Sequence, residues 1–431
     1  MKHLIKIESV EHGVLGMRHA GLDQQYCEAG EIVILKWQPD AGWGLQEAHY
    51  TDKDGNVTAI EYGNFVMPDK DIIIGGTFKR FSAEDWADNP YPRPNAPRYL
   101  KFTANVDGSS VGFCCWSEDY EPVDMGKNMQ YSIDGGLTWE DYRIGVGEEN
   151  IVPISLRDGE SVMFRGVNDN LAYYLEDEQD YIYTKCFIGG SVTASGDVTS
   201  LLNGIGGNVA LTDNCFSSMF YGCTGLTQAP TLPATTLVSN CYSSMFYGCT
   251  GLTQAPTLPA TTMADRCYDS MFYGCTGLTQ APTLPATTLA SSCYNSMFYG
   301  CTGLTQAPTL PATTLVSNCY SSMFYGCTGL TQAPTLPATT MADSCYSSMF
   351  SGCTGITSHD VATLNNSTNT FNNNSSCASL TIHADTPPTI ANSTITGLKA
   401  DCIIYVPAAS VDAYKAAQYW SARAAYIQAI P

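Results

Sequence analysis

Leu226-Thr227-Gln228-Ala229-Pro230-Thr231-Leu232-Pro233-Ala234-Thr235-Thr236 recurs residue for residue from Leu252, Leu278, Leu304 and Leu330. A second string, Cys-aromatic-x-Ser-Met-Phe-x-Gly-Cys-Thr-Gly, runs into each copy and begins at Cys215, Cys241, Cys267, Cys293, Cys319 and Cys345. The two strings make a unit of 26 residues. One such unit cannot bury enough apolar surface to offset the entropy of ordering it, so copies must stack on one another. The reading that follows is a solenoid, and an extended binding surface rather than a catalytic pocket.

Each unit reads as one coil with two walls. Asp213, Ser239, Asp265, Ser291, Ser317 and Asp343 stand two residues before the first cysteine, where a helix N-cap belongs. Gly222 and its equivalents Gly248, Gly274, Gly300, Gly326 and Gly352 follow where a left-handed C′ glycine belongs. Between them Cys215, Met219 and Cys223 fall at i, i+4 and i+8, one apolar helix face with Phe220 beside it. The second wall is the extended run Leu226 to Leu232, which stacking turns into a parallel sheet. Helices pack about 8–10 Å apart and strands about 4.8 Å apart, so the stack is expected to curve with the strand wall concave.

These strings resemble the BspA-like leucine-rich repeats of bacterial surface proteins, and Met-Phe-x-Gly-Cys is similar to a related family of bacterial surface repeats. Ile404 to Tyr414 (Ile404-Tyr405-Val406-Pro407-Ala408-Ala409-Ser410-Val411-Asp412-Ala413-Tyr414) resembles the end-cap of such arrays. The resemblance covers roughly residues 198–431. It implies a curved repeat domain used in adhesion and names no ligand.

Charge is uneven. Residues 1–199 hold 33 acids and 16 Lys+Arg, a net of −17, and residues 200–431 hold 8 acids and 4 Lys+Arg, a net of −4. A neutral, Thr- and Ser-rich array on an acidic first half is a poor partner for nucleic acid, which needs basic patches. The acidic half reads as a solubility feature. No stretch reaches the roughly 18 apolar residues of a membrane span. The opening Met1 to Glu8 lacks the apolar core of a secretion signal. Two routes outward stand: a leader that has been removed, or release with a phage particle on lysis, the second favoured by numbering from a methionine.

Twelve of the 18 cysteines sit in the repeat. At i and i+8 of a helix they would lie about 12 Å apart along the axis, beyond the roughly 7 Å that a disulfide allows. They are expected to be free, small, buried residues. Cys27, Cys186, Cys377 and Cys402 are left open as candidates for pairing, and Cys114 and Cys115 are expected on opposite faces of a strand.

The first half reads as two mainly-β units. Residues 1–80 alternate apolar and polar residues, with strands at Gly30 to Leu35 and Ile72 to Phe78, a turn from Pro39 to Trp43 and a hairpin tip at Asp52 to Asn56. Pro39 to Trp43, Phe65 to Pro68, Asp71 to Ile74 and Phe78-Lys79 resemble the divergent InlB B-repeat, which implies a β-grasp-like spacer over Gly30 to Lys79. The Asp52/Asp54/Gly55 string lacks the distal glutamate of an EF-hand and reads as a plain turn. Residues 81–97, with Pro90, Pro92, Pro94 and Pro97, read as a stiff linker. Residues 98–196 read as a β-sandwich-like domain. In it Ser132 to Trp139 matches the Asp-box hairpin familiar from sialidases, here without their arginine cluster or tyrosine–glutamate pair, and so structural. Glu176 to Asp180 reads as a solvated acidic loop.

The fold expected is therefore modular: two small mainly-β domains (1–80 and 98–196), then a curved leucine-rich-repeat solenoid over 197–380, and a C-terminal cap over 381–431 closed by a helix from Val411 to Ile430. No nucleophile, phosphate-binding or dinucleotide motif is present, and none of the six histidines pairs with a cysteine or serine in such a motif. His359-Asp360 reads as an irregularity of the cap. Neither an enzyme nor a cofactor or metal is expected. The candidate ligand surface is Thr227, Gln228 and Thr231 with Pro230, and the same set in later coils: Thr253, Gln254, Thr257; Thr279, Gln280, Thr283; Thr305, Gln306, Thr309; and Thr331, Gln332, Thr335. Thr also simply suits exposed strand positions. Two tyrosine sets, the aromatic after the first cysteine (Phe216, Tyr242, Tyr268, Tyr294, Tyr320, Tyr346) and Tyr221, Tyr247, Tyr273, Tyr299 and Tyr325, are expected partly buried between coils. The function expected is a surface adhesin-type protein that binds cell-surface protein or glycan. A phage virion attachment or decoration protein docked through residues 1–80 is the second reading, and a glycan-processing enzyme the third.

Overall fold

A computed structural model of the chain describes residues 2–11, 13–19, 26–39, 43–60, 64–80, 99–117, 121–136, 138–178, 180–207 and 209–431. The expected linker over 81–97 and most of the expected turn after Pro39 lie outside these residues.

Residues 2–80 form two sheets. In the five-stranded one, Lys2–Ile7 lies between Tyr26–Glu28 and Ile72–Arg80, followed by Trp43–Asp52 and Val57–Ala59. Lys2–Ile7 pairs parallel with Ile72–Arg80, so the first and last strands of the unit lie side by side. The second sheet joins Gly13–His19, Ile32–Pro39 and Asn64–Val66. Alternation places Ile5, Val33, Leu35, Leu45, Ile60 and Ile74 in one separate core. No helix of the kind a β-grasp fold carries occurs among the described residues of this unit. At the hairpin tip the Asp52 carboxylate accepts the N–H groups of Asp54 and Asn56 at 2.9 and 3.0 Å, and the Lys70 ammonium reaches Asp52 and Asp54. The loop is a turn whose acids are matched by Lys70.

A second core runs unbroken from Leu100 to Ile427. Its first part is two facing sheets. One is built on Ser109–Trp116 and Asp180–Gly189, the other on Met129–Ser132, Ser161–Gly166, Leu100–Ala104 and Val192–Ser195. Phe102, Phe113 and Phe164 meet edge-on between them, at centroid distances of 4.9–6.4 Å. Cys114 and Cys115 are both fully buried. The second sheet continues into the array, because Val192–Ser195 pairs parallel with Leu226–Gln228. The first sheet does the same for the other wall: the Cys186 N–H donates to the Met219 carbonyl at 2.6 Å. The sandwich thus serves as the lid on the first coil.

The array corrects the expected helices. None forms between Leu226 and Ser358, and the segment after each first cysteine is a chain of turns. Asn214, Ser218 and Gly222 stand at φ of 62, 57 and 71°, and their equivalents repeat this in every coil to Ser344, Ser348 and Gly352. Alternate N–H groups close turns three residues back, as in Ser217 to Asn214 and Met219 to Phe216. The N–H groups between them cross to the next coil: Phe216 donates to Cys241, Ser218 to Ser243, Phe220 to Met245 and Gly222 to Tyr247, at 2.7–3.0 Å. The backbone donors of this wall are thus satisfied without a helix. Asn, Ser and Gly tolerate the left-handed conformation, and Ser is a poor mid-helix residue. The glycine is left-handed as a C′ residue would be, but it ends a turn. Coil spacing follows: the Phe220, Phe246, Phe272, Phe298, Phe324 and Phe350 rings stack at 5.3–5.7 Å, nearly parallel. The wide helix wall on which the expected curvature rested is absent.

The opposite wall is corrected too. Past its first strand it carries isolated parallel bridges such as Gln228↔Gln254, Gln254↔Gln280 and Gln280↔Gln306 rather than a sheet. Pro230 and Pro233 in each copy have no N–H to donate, so a ladder cannot run through them. Where the prolines end, a true parallel sheet forms from Ser358–Val361, Ser379–Ile382, Ile403–Val406 and Ile427–Ala429. The expected long capping helix is instead a short helix, Val411–Ala416, then a 3-10 turn, Ser421–Tyr426, and the last strand. The helix stops where Ala417 turns extended, at ψ 151°, and Tyr419, at φ 66°, keeps it from resuming. The buried Trp420 then donates its indole N–H to the Pro388 carbonyl at 3.0 Å.

Candidate functional site

Leu226 and Leu232 are buried, and every predicted surface residue from Gln228 to Thr335 apart from Pro230 is exposed. Thr227 is half-buried, because it meets Thr193 and Asn105 of the sandwich. Pro230 departs from the prediction, since it is buried with Leu232 rather than displayed. Thr253, Thr279 and Thr305 each donate their hydroxyl to the threonine carbonyl one coil back, at 3.2–3.4 Å. Those hydroxyls therefore offer lone pairs and methyl groups outward, while their protons are engaged. Gln254, Gln280 and Gln306 sit at the bridges, exposed and in register. Their amides both donate and accept. The wall is thus a row of identical amide and hydroxyl groups repeated once per coil.

The tyrosine sets divide. Tyr242, Tyr268, Tyr294, Tyr320 and Tyr346 are fully buried, at 0–2% exposure, so the expectation of partial burial is corrected for them. Their phenols are pushed far above the usual range by burial. Tyr221, Tyr247, Tyr273, Tyr299 and Tyr325 are half-buried and stacked at 4.3–4.6 Å, with Trp116 of the sandwich at 5.1 Å from Tyr221. Lys185 lies over both Trp116 and Tyr221. Ring faces stacked on one another are closed to a ligand, so within the column only edges and hydroxyls are presented; the stack ends at Tyr325, because the next coil carries Ser351 there. Sequence alone gave no sign that Trp116 extends it, because the residue lies 105 positions from Tyr221 in an unrelated segment.

The cysteines are structural. Cys249, Cys275, Cys301, Cys327 and Cys353 donate their thiols to phenylalanine carbonyls of the previous coil at 2.9–3.0 Å. Burial pushes the Cys275 and Cys353 thiols up to about 12. Such thiols are inert.

The Asp-box hairpin is stitched by its own side chains. Asp134 accepts from Ser132 and from the Thr138 N–H, the Ser132 hydroxyl accepts the Gly136 N–H, and the Trp139 indole donates to the Gly136 carbonyl. Arg165 stacks 4.1 Å over Trp139. Beside the hairpin is a cleft of about 630 Å³ whose lining includes Tyr131, Ile133, Asp141, Arg143, Val152 and Glu160. Its two carboxylates hold the fold together: Asp141 accepts from Gln130, and Glu160 from the Arg157 N–H. Glu176, Asp177 and Glu178 are the exposed tip of the hairpin that joins Ala172–Leu175 to Asp180–Gly189. Among the described residues no group of three His, Cys, Asp or Glu side chains is placed to hold a metal ion.

His359 is the buried titratable group of the array's end. It stands between the Phe350 and Phe371 rings at 4.8 and 4.6 Å, and its Nε2 is 2.9 Å from the Asn374 amide oxygen. Burial pulls it down to about 4, so it is neutral at pH 7.

Compared with known families, residues 212–331 and 265–395 match the BspA type leucine rich repeat region, in six copies. The C-terminal region therefore carries BspA-type leucine-rich repeats, preceded by mainly-β sheets. No curated protein matches the chain. No helix among the described residues is long and apolar enough to cross a membrane.

Proposed function

We propose that this is a non-catalytic surface attachment protein that binds a protein ligand through the Thr/Gln wall of its repeat array, outside the cell. The observation that carries the reading is the recurrence of Thr253/Gln254/Thr257 at Thr279/Gln280/Thr283 and Thr305/Gln306/Thr309, exposed and in register in each coil. Identical sites one coil apart raise avidity for an extended or multivalent partner without requiring any single strong contact. BspA-type repeats are typical of bacterial surface binding proteins, which supports the same reading. A protein partner is favoured over a glycan because the ring faces that a sugar would stack on are closed within the tyrosine column. The acidic unit of residues 2–80, with its own core, suits a spacer or a docking module for a larger assembly.

The test is a comparison of the full chain with a variant carrying Gln254→Ala, Gln280→Ala and Gln306→Ala together. Both are applied to a panel of immobilised cell-surface proteins and to a glycan array. Loss of at least tenfold in apparent affinity for a bound protein, with unchanged circular dichroism, supports the proposal. Equal binding by both proteins, or binding confined to the glycan array, overturns it.

A further inference from the structure

We propose that Cys377 and Cys402 are a disulfide site: they link covalently when the chain meets an oxidising exterior, and so staple the C-terminal cap. Their Sγ atoms are 3.8 Å apart in the buried cap, between residues 25 positions apart in the chain. Each stands just before a central strand of the parallel cap sheet, Ser379–Ile382 and Ile403–Val406. Ser379 pairs with Ile403, so the two cysteines stand at the same end of adjacent strands, one residue out of register, and it is the 3.8 Å sulfur contact that brings them within reach.

This pair differs from the repeat cysteines. There the second cysteine of each coil directs its thiol to a backbone carbonyl at 2.9–3.0 Å. At the junction, Cys223 likewise directs its thiol to the Cys186 carbonyl at 3.2 Å. Cys223 also makes a side-chain contact with Cys186, whereas the second cysteines of the later coils are directed to carbonyls. Cys377 and Cys402 face each other at 3.8 Å, while the Cys377 thiol also reaches the Ser379 carbonyl at 3.2 Å and the Cys402 thiol the Ile403 carbonyl at 3.7 Å. The contact with Cys377 lowers the Cys402 thiol; burial opposes this, Arg423 and Lys399 lower the thiol further, and Asp401 raises it. Arg423 is held in place by carbonyls including those of Lys399, Ala400 and Leu398.

The chemistry needs a low-molecular-weight disulfide as oxidant. Both thiols are buried, so the oxidant reaches Cys402 when the cap opens locally; its thiolate then attacks one sulfur of that disulfide, giving a mixed disulfide and one released thiol. The Cys377 thiolate then attacks the Cys402 Sγ and releases the second thiol. The protein loses two hydrogens and the oxidant is reduced to two thiols.

The full chain is incubated with oxidised glutathione at pH 8, alkylated, and digested without reduction. The expected product is a linked peptide pair containing Cys377 and Cys402, two hydrogens lighter than the sum. Hydrogen exchange of residues 379–382 and 403–406 is expected to slow on oxidation and to recover with dithiothreitol. Cys402→Ser should abolish both the linked pair and the redox-dependent exchange, while its exchange matches that of the reduced parent. Peptides that remain unlinked, or that carry only glutathione, overturn the proposal. So does a linkage that leaves exchange in the cap unchanged, since that removes the staple.

Discussion

Replacing Gly277 by alanine should split the array in two. A Cβ built on Gly277 would lie 2.4 Å from the Thr250 carbonyl oxygen of the coil before it, and 3.2 Å from that of Leu252. The obstacle is backbone, so no side-chain rotation relieves it, and the two coils must part by roughly 1 Å to restore ordinary van der Waals contact. The bonds nearest the strain are the Gly248 N–H to Tyr273 at 2.7 Å, the Cys275 thiol to Phe246 at 3.0 Å and the Thr279 N–H to Thr253 at 3.4 Å. At about 0.5–1.5 kcal/mol net for each bond, their loss weakens this interface by about 2–4 kcal/mol. Stability in a stack is a sum over neighbour interfaces, so one weak interface decouples the halves. Gly274→Ala is the control: its Cβ meets nothing closer than a glycine Cα at 3.9 Å. At φ 68° it costs only the left-handed conformation, about 1–2 kcal/mol. Urea unfolding followed by circular dichroism, with limited proteolysis at each step, separates the two. Gly277→Ala should give two transitions and a protected fragment on one side of residue 277. If it unfolds in one transition at the midpoint of Gly274→Ala, the close coil contact inferred from the turn wall is wrong.

Lowering the pH should destabilise the array's end through His359. Its folded value of about 4 lies below the ordinary 6.5, so the unfolded chain protonates first as pH falls. The stability that the neutral, buried form contributes is whole above pH 6.5 and is lost between pH 6.5 and 4, on the order of 3 kcal/mol at 1.36 kcal/mol per pH unit. Thermal melts across that range should show the slope, and His359→Gln should flatten it. Phe298→Ala, which interrupts the ring column between Phe272 and Phe324, should cost about 3–5 kcal/mol in chemical denaturation. Native alkylation with iodoacetamide at pH 8 should leave Cys275 and Cys353 unmodified for hours, whereas the denatured, unreduced chain should expose at least the twelve repeat thiols.

The period, the buried Leu226 and Leu232 and the outward Thr and Gln could be read from the sequence, because spacing alone sets which residues share a face. The secondary structure of the long wall could not. Cap residue, apolar i, i+4, i+8 and terminal glycine are also the pattern of a turn chain in which every fourth residue is left-handed. The discriminating signal was the serine row Ser218, Ser244, Ser270, Ser296, Ser322 and Ser348, with φ of 51–57° at the middle of each supposed helix. A helix gains nothing from serine there, whereas a left-handed turn position tolerates it. The prolines held the matching signal for the other wall, since Pro230 and Pro233 cannot sit in a hydrogen-bonded ladder.

Together these two departures locate stiffness in the coil. On the turn wall five backbone bonds, from Asn240, Tyr242, Ser244, Phe246 and Gly248, cross to a single neighbouring coil. On the Thr/Gln wall that interface has one, from the Thr279 N–H, at 3.4 Å. The turn wall therefore acts as a hydrogen-bonded spine, and the face proposed to meet a ligand is the side with the least backbone restraint. A wall so lightly tied can shift each Gln by a fraction of an ångström while the Phe and Tyr columns hold the register. That combination suits a repeated ligand whose spacing only approximates the spacing of the coils. It also fixes where binding should be felt. Slowed exchange on ligand addition belongs at Thr253, Thr279 and Thr305, whose N–H groups reach their partners at 3.2–3.4 Å, and turn-wall amides such as Phe246 and Phe272, bonded to the next coil at 2.9 Å, should be slow with or without it.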